Sequence, residues 1–89
     1  MDELVKVKVE YVGFMSKITG NSSETIEIFD NIQSIPMQIR SFLKNKYDIS
    51  QPVLILVNGK NVINYMKLHE GGKIEEGTCF KVMPIISGG

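Results

Sequence analysis

Residues 24–59, ETIEIFDNIQSIPMQIRSFLKNKYDISQPVLILVNG, contain two changes of hydrophobic period, and those changes decide the architecture. In ETIEIFD, Ile26 and Ile28 share one side while Thr25, Glu27 and Phe29 share the other, the two-residue repeat of a strand. From Ile32 the repeat lengthens: Ile32, Ile35, Ile39, Phe42, Leu43 and Tyr47 recur in three- and four-residue steps, as on one face of an amphipathic helix. Pro36 has no N–H to give and is tolerated only in a first turn, so the helix is predicted to start near Ser34, with Ser34 as its N-cap, and not at Asn31. Lys44 and Lys46 suit the negative pole at its other end. PVLILVNG, residues 52–59, is then an apolar run closed by Asn-Gly, which reads as a buried strand and a tight turn.

Working outward, LVKVKVEYVG (residues 4–13) alternates Val5, Val7, Val9 and Tyr11 with Lys6, Lys8 and Glu10, a first strand with one buried face. FMSKITGNSS (14–23) breaks that alternation and is expected to be a loop with one helical turn, short enough to pair the two flanking strands antiparallel. After the Asn-Gly turn, Val62 and Ile63 are expected to begin a short return strand. NYMKLHEGGKIEEGT (64–78) reads as a loop punctuated by Gly71, Gly72 and Gly77 and anchored by Ile74. CFKVMP (79–84) is the last strand, with Phe80 and Val82 on one face and Cys79, Lys81 and Met83 on the other, ending at Pro84 for want of an N–H. The order predicts an α+β domain over residues 1–84: a mixed sheet of four to five strands with one main helix across it. Residues 85–89 are expected to form a flexible C-terminal tail.

Composition narrows the function. At 89 residues the chain holds one modest core and has no room for a separate catalytic module. Ten Lys and Arg balance ten Asp and Glu, so no net field draws it to nucleic acid or an anionic membrane, and neither is expected as a partner. Cys79 is the single cysteine, which excludes an internal disulfide and a cysteine-based zinc site; no metal is expected, and the thiol fits a reducing compartment such as the cytoplasm. No apolar run is long enough to span a bilayer, and MDELVKVKVE has no signal-peptide core.

The side chains offer little internal chemistry. His69, the one histidine, sits beside Glu70 without a nucleophile motif and reads as a solvated surface residue. Cys79 has no neighbouring histidine to activate it and reads as structural. Glu75 and Glu76, adjacent on a turn, are expected to point apart into water, and HEGGKIEEG lacks phosphate-loop spacing. What remains is the end of the sequence, PIISGG. A terminal carboxylate on Gly89, with an ordinary pKa of about 3.3–3.7, is ionised at neutral pH and a poor electrophile, so it reacts only after activation by an enzyme. Gly88 and Gly89, lacking Cβ, let the backbone lie extended in a narrow channel. Met83, Ile85 and Ile86 are placed by strand parity, or by position past Pro84, as uncovered apolar residues next to this tail.

With these pieces in order, the chain resembles the ubiquitin-like sulfur carriers of the MoaD/ThiS group, and within it the MoaD family, the small subunit of molybdopterin synthase. The resemblance runs through VKVKVEYVGFMSKITG, MQIRSFLKNKY, LILVNGKNV and KIEEGTCFKVMPIISGG, with Ile74, Glu76-Gly77, Phe80, Val82, Pro84, Ile86, Ser87, Gly88 and Gly89 in step with the family's closing pattern. Thr78 stands where the family usually has a second Asp, and Ile85 replaces a second proline. Met15-Ser16-Lys17 takes the place of the usual Leu-Arg-Glu. The resemblance implies a β-grasp (ubiquitin-like) fold and a protein that is not catalytic alone and binds no cofactor itself. An E1-like adenylyltransferase would adenylate Gly89 using ATP, and a persulfide sulfur donor would convert the adenylate to a thiocarboxylate. The large subunit of molybdopterin synthase would accept the Ser87-Gly88-Gly89 tail, meet Met83, Pro84, Ile85 and Ile86, and use the sulfur for the molybdopterin dithiolene. Sulfur transfer for thiamine, a tungsten-pterin or another sulfur product, conjugation to target proteins through Gly89, and a binding module that uses only the β-grasp surface are the alternative readings.

Overall fold

The computed structural model describes residues 3–85. Five strands and three helices follow in the order β1 (Leu4–Tyr11), α1 (Phe14–Thr19), β2 (Ser23–Phe29), α2 (Ile35–Tyr47), β3 (Val53–Val57), β4 (Lys60–Asn61), α3 (Val62–Leu68) and β5 (Cys79–Pro84). The strands form one sheet in the order β2-β1-β5-β3-β4. β1 pairs antiparallel with β2, β3 pairs antiparallel with β4 and β5, and β1 runs parallel to β5. The last strand thus enters the middle of the sheet, and the long α2 provides the crossover that makes its parallel neighbour possible. This is the β-grasp, ubiquitin-like arrangement.

Alternation along the strands explains the layering. Val7, Val9, Tyr11, Ile26, Ile28, Val53, Ile55, Val57, Phe80 and Val82 are buried on one face, where the α2 stripe Ile35, Ile39 and Leu43 joins them in a single core. Phe80 is the largest of the fully buried side chains. Ile74 is 3% exposed, held where its N–H donates to the Asp30 carbonyl (2.8 Å), and so does anchor the segment before β5. Phe29 lies on the wet face as its parity required, half exposed.

Three expectations are corrected. FMSKIT is a six-residue helix and not a loop with a single turn: Met15 and Thr19, four apart, both face the core, and Gly20 closes it in a left-handed conformation at φ 74°. Val62 and Ile63 do not begin a return strand. The return is only Lys60–Asn61, after which the Asn61 side chain accepts from the Ile63 N–H (2.9 Å) and starts α3, whose Val62 and Tyr65 are buried. The start of the stretch read as loop, from Asn64 to Leu68, is therefore helix, and the rest of it is not. Ser34 occupies the N-cap position of α2 with Pro36 in the first turn, but its hydroxyl caps nothing. A 3-10 turn at Ile32–Ser34 already leads the backbone into the helix, capped by Asn31 accepting from the Gln33 N–H, and Ser34 Oγ instead donates to the Asn31 carbonyl (2.8 Å).

Candidate functional site at the exit of the central strand

β5 is held by β1 from Cys79 to Val82 and by β3 from Phe80 to its last residue, where Pro84 stands opposite Val53. The chain then leaves the sheet at Ile85, which is 55% exposed. Of the interface residues expected from sequence, Met83 and Pro84 are half-buried and Ile85 is open. Ile86, Ser87, Gly88 and Gly89, which include the expected reactive carboxylate, lie outside the described residues.

Register defines what surrounds the exit. Met83 faces Leu54 across the β3 pairing, and Leu56 faces Lys81. On the other side Tyr11 is level with Val82, and Val12 continues the pairing by donating its N–H to the Val82 carbonyl (3.0 Å). Side chains of like parity therefore place Val12, Met83 and Leu54 in one row across three strands on the face away from the helices. The next row, Glu10, Lys81 and Leu56, is largely charged. The open sheet face is thus apolar at the end from which the chain departs, as it is at the far end of β1, where Leu4 stands opposite Phe29.

The turn that feeds β5 is fastened to β1. Gly77 donates to the Lys6 carbonyl (2.8 Å), and the Glu76 carboxylate accepts from the Lys6 N–H (3.0 Å), a use not anticipated for a residue expected to point only into water. Thr78 Oγ1 donates to the Glu75 carbonyl (2.6 Å), so a hydroxyl closes the turn at the position where an aspartate was expected from the resemblance. Gly77 needs its φ of 83°, a backbone region that side chains with Cβ rarely adopt.

The other sequence candidates do not converge on this exit as an active centre. His69 is exposed at the end of α3 with its ring against Tyr65, centroids 4.3 Å apart. Burial first, and the Glu10 carboxylate second, push the Cys79 thiol up, so it is not a ready thiolate at neutral pH. Among the described residues no cluster of His, Cys, Asp or Glu is arranged to hold a metal ion, and no helix is long and apolar enough to cross a membrane.

One polar cluster escaped the sequence reading. Glu24 Oε2 accepts from the hydroxyls of Tyr11 (2.6 Å) and Tyr47, while Oε1 accepts from Lys46 Nζ (2.6 Å). Burial alone would push the Glu24 carboxyl up, but the hydrogen bonds from Lys46, Tyr11 and Tyr47 outweigh it and hold the group below the usual carboxylate range. Tyr11 is pushed far up by burial and by the same carboxylate. The cluster pins the end of α2 to β1 and β2, so its role is structural. No signal in the sequence brings residues 11, 24 and 47 together before the fold does.

No protein-family model and no curated protein matches the sequence. Solved structures do. The HVO 2177 protein of Haloferax volcanii superposes with a TM-score of 0.65 at 18% identity, covering 97% of this chain and 88% of that one. A candidate molybdopterin converting factor, subunit 1, from Pyrococcus furiosus gives 0.62 at 21% identity, covering 92% and 99%. The small archaeal modifier protein 1 of Methanosarcina acetivorans gives 0.60 at 18% identity, covering 98% and 99%. At such identities the likeness establishes architecture: the chain has the ubiquitin-like β-grasp fold over nearly its whole length.

Proposed function

We propose that the chain is a sulfur carrier of the MoaD type, with the Gly89 carboxylate as its reactive group and residues 85–89 as the tail that presents it. The observation that carries this reading is the exit geometry: a strand clamped on both sides ends beside an apolar row, and Ile-Ser-Gly-Gly follows in the sequence. The similarity to a candidate molybdopterin converting factor subunit supports it. In the first step a Gly89 carboxylate oxygen attacks the α-phosphorus of ATP on an E1-like enzyme, releasing pyrophosphate and leaving an acyl adenylate. The terminal sulfur of a persulfide then attacks the carbonyl carbon and AMP departs. A second thiol reduces the resulting acyl disulfide, leaving a thiocarboxylate on Gly89 and a disulfide on the donor. The larger synthase subunit takes the tail and transfers this sulfur toward the molybdopterin dithiolene. The β-grasp body supplies recognition, through Met83, Pro84, Ile85 and Ile86 beside Ser87 and Gly88, and the partner supplies the catalytic groups.

A second reading is conjugation, favoured by the likeness to a small archaeal modifier protein. There the same adenylate is intercepted by a lysine amine and an isopeptide bond forms. Pyrophosphate release by an E1-like enzyme, dependent on this chain and abolished by deletion of Gly89, tests the step common to both. Adduct ladders in extract that vanish on the same deletion favour conjugation over sulfur transfer.

A further inference from the structure

A groove of about 540 Å³ runs between the outer flank of α2 and the segment leading into β3; its floor is Leu43, Ile49, Pro52 and Val53, and Arg40 and Lys44 stand on its rim. We propose that this groove docks an acidic peptide segment of a partner protein, with a branched aliphatic side chain on the floor and a neighbouring carboxylate on Arg40. The proposal does not depend on the chemistry assigned to Gly89.

The end of α2 builds the groove. Asp48 takes a left-handed conformation at φ 57°, its N–H donating to the Lys44 carbonyl (3.0 Å), and the next N–H, that of Ile49, donates back to the Leu43 carbonyl (3.3 Å). Ile49 is thereby folded against the helix it has just left, and the floor is fixed before any partner arrives, so little ordering cost falls on binding. Ser50 and Gln51 then run exposed to Pro52, which has no N–H to offer, and Val53 enters the sheet. The floor therefore rewards apolar side chains and not a hydrogen-bonding ligand. Its volume falls within the roughly 300–1,000 Å³ of pockets that hold a small ligand.

Charge selects the occupant. α2 contains Arg40, Lys44 and Lys46 and no acidic residue. Lys46 is bound to Glu24 and Lys44 to Asp48, whereas the exposed Arg40 makes no ion pair among the described residues. The rim thus sets one uncompensated cation over an apolar floor, and the complement of that pair is one carboxylate beside an aliphatic side chain, which the planar guanidinium can hold through two parallel hydrogen bonds. A polyphosphate or nucleic acid would find a single free cation and the Asp48 carboxylate, a poor match for a row of charges. The helix dipole orients the segment: the negative pole of α2 lies at Tyr47, roughly 10 Å beyond Arg40 at 1.5 Å per residue, so the acidic end belongs at Arg40 and the neutral end toward Ser50 and Gln51. Val53 on the floor stands opposite Pro84, whereas the row of Val12, Met83 and Leu54 is on the other face of the sheet. A partner anchored in the groove lies alongside the strand exit and leaves that row free.

Titration of the 15N-labelled full chain with the capped peptide acetyl-Ser-Leu-Leu-Glu-Glu-Ser-amide tests this. Saturable amide shifts are expected at residues 40–45, 49–51 and 53. Binding should weaken at least fivefold for a counterpart with lysines in place of the glutamates, and again for one with serines in place of the leucines. Arg40→Glu, and the milder Arg40→Ala, change an exposed side chain and should each weaken the acidic peptide at least fivefold with an unchanged melting temperature. The absence of saturable shifts overturns the proposal, as does equal binding of the lysine counterpart or indifference to both Arg40 substitutions. Shifts centred on Val12, Met83 and Leu54 overturn it as well, assigning the peptide to the open sheet face. No activating enzyme enters the experiment, so its failure leaves the reading of Gly89 standing, and a Gly89 that is never activated leaves the groove standing.

Discussion

Replacing Glu24 with alanine removes one acceptor from three donors, and the cost can be worked from the geometry. Hydrogen bonds to a charged acceptor contribute about 1.5–3 kcal/mol each, and an unpaired buried hydroxyl costs about 1–3 kcal/mol. Tyr11, 4% exposed, loses its partner outright, whereas the half-buried Tyr47 keeps the Asn21 side chain at 3.0 Å and can recruit water. Lys46 has half its side chain in solvent, so its ion pair is screened and adds nothing to the sum. The expected loss is about 3 kcal/mol, a large share of the roughly 4–13 kcal/mol available to a domain of this size. In a thermal melt followed by circular dichroism at pH 7 that corresponds to a Tm about 12–24 °C lower. The pH dependence follows in sign: the folded carboxyl is held below its ordinary value, so its contribution is full above the unfolded pKa and is lost as pH falls through the folded one. The stability gap between wild type and Glu24→Gln should therefore shrink from pH 6 to pH 3. A loss under about 0.5 kcal/mol for Glu24→Ala at pH 7, or a gap that widens in acid, refutes the reasoning.

Phe80→Ala, at a position with 0% exposure, should cost about 3–5 kcal/mol by the cavity it leaves, measured as a lower urea midpoint with an unchanged slope. Deletion of Gly88-Gly89 should change the urea midpoint stability by less than about 0.5 kcal/mol while abolishing pyrophosphate release, because the sheet pairing ends at Pro84. Gln38 donates from Nε2 to the Phe29 carbonyl (2.9 Å) and accepts from the Phe29 N–H (2.7 Å), acting as a neighbouring strand would on the β2 edge; Gln38→Ala should cost about 1 kcal/mol and speed hydrogen exchange at Phe29 selectively. Gly59 follows the left-handed Asn58 at a φ of 77°, so Gly59→Val should lower the Tm by several degrees through backbone strain alone, there being open space where its Cβ would stand.

Much of this architecture was legible because long periodic segments report their own burial. The two-residue repeat of β1 and β2, the stripe Ile35, Ile39 and Leu43, and the Asn58-Gly59 turn each carry enough repeats to identify a face. The two short helices were not, since six or seven residues hold barely two turns. Met15 and Thr19 make only one helical interval, and the β-branched pair Val62-Ile63 looks like a strand until Asn61 is seen capping it. The Glu24 cluster and the Glu76 contact with Lys6 join residues 13 to 70 positions apart, which pattern cannot reveal. For the candidate site, parity correctly put Met83 and Lys81 on the face opposite Phe80 and Val82. Its row with Val12 and Leu54 required the register of three strands.

The claim that Gly89 carries sulfur is tested most directly by intact mass after incubation with an E1-like enzyme, ATP and a persulfide donor, with the Gly89 deletion as control. The account predicts a gain equal to one oxygen replaced by sulfur, located at the C-terminal residue and absent from the control. An unchanged mass in the presence of an enzyme that does form the adenylate contradicts it and leaves conjugation as the function of the tail.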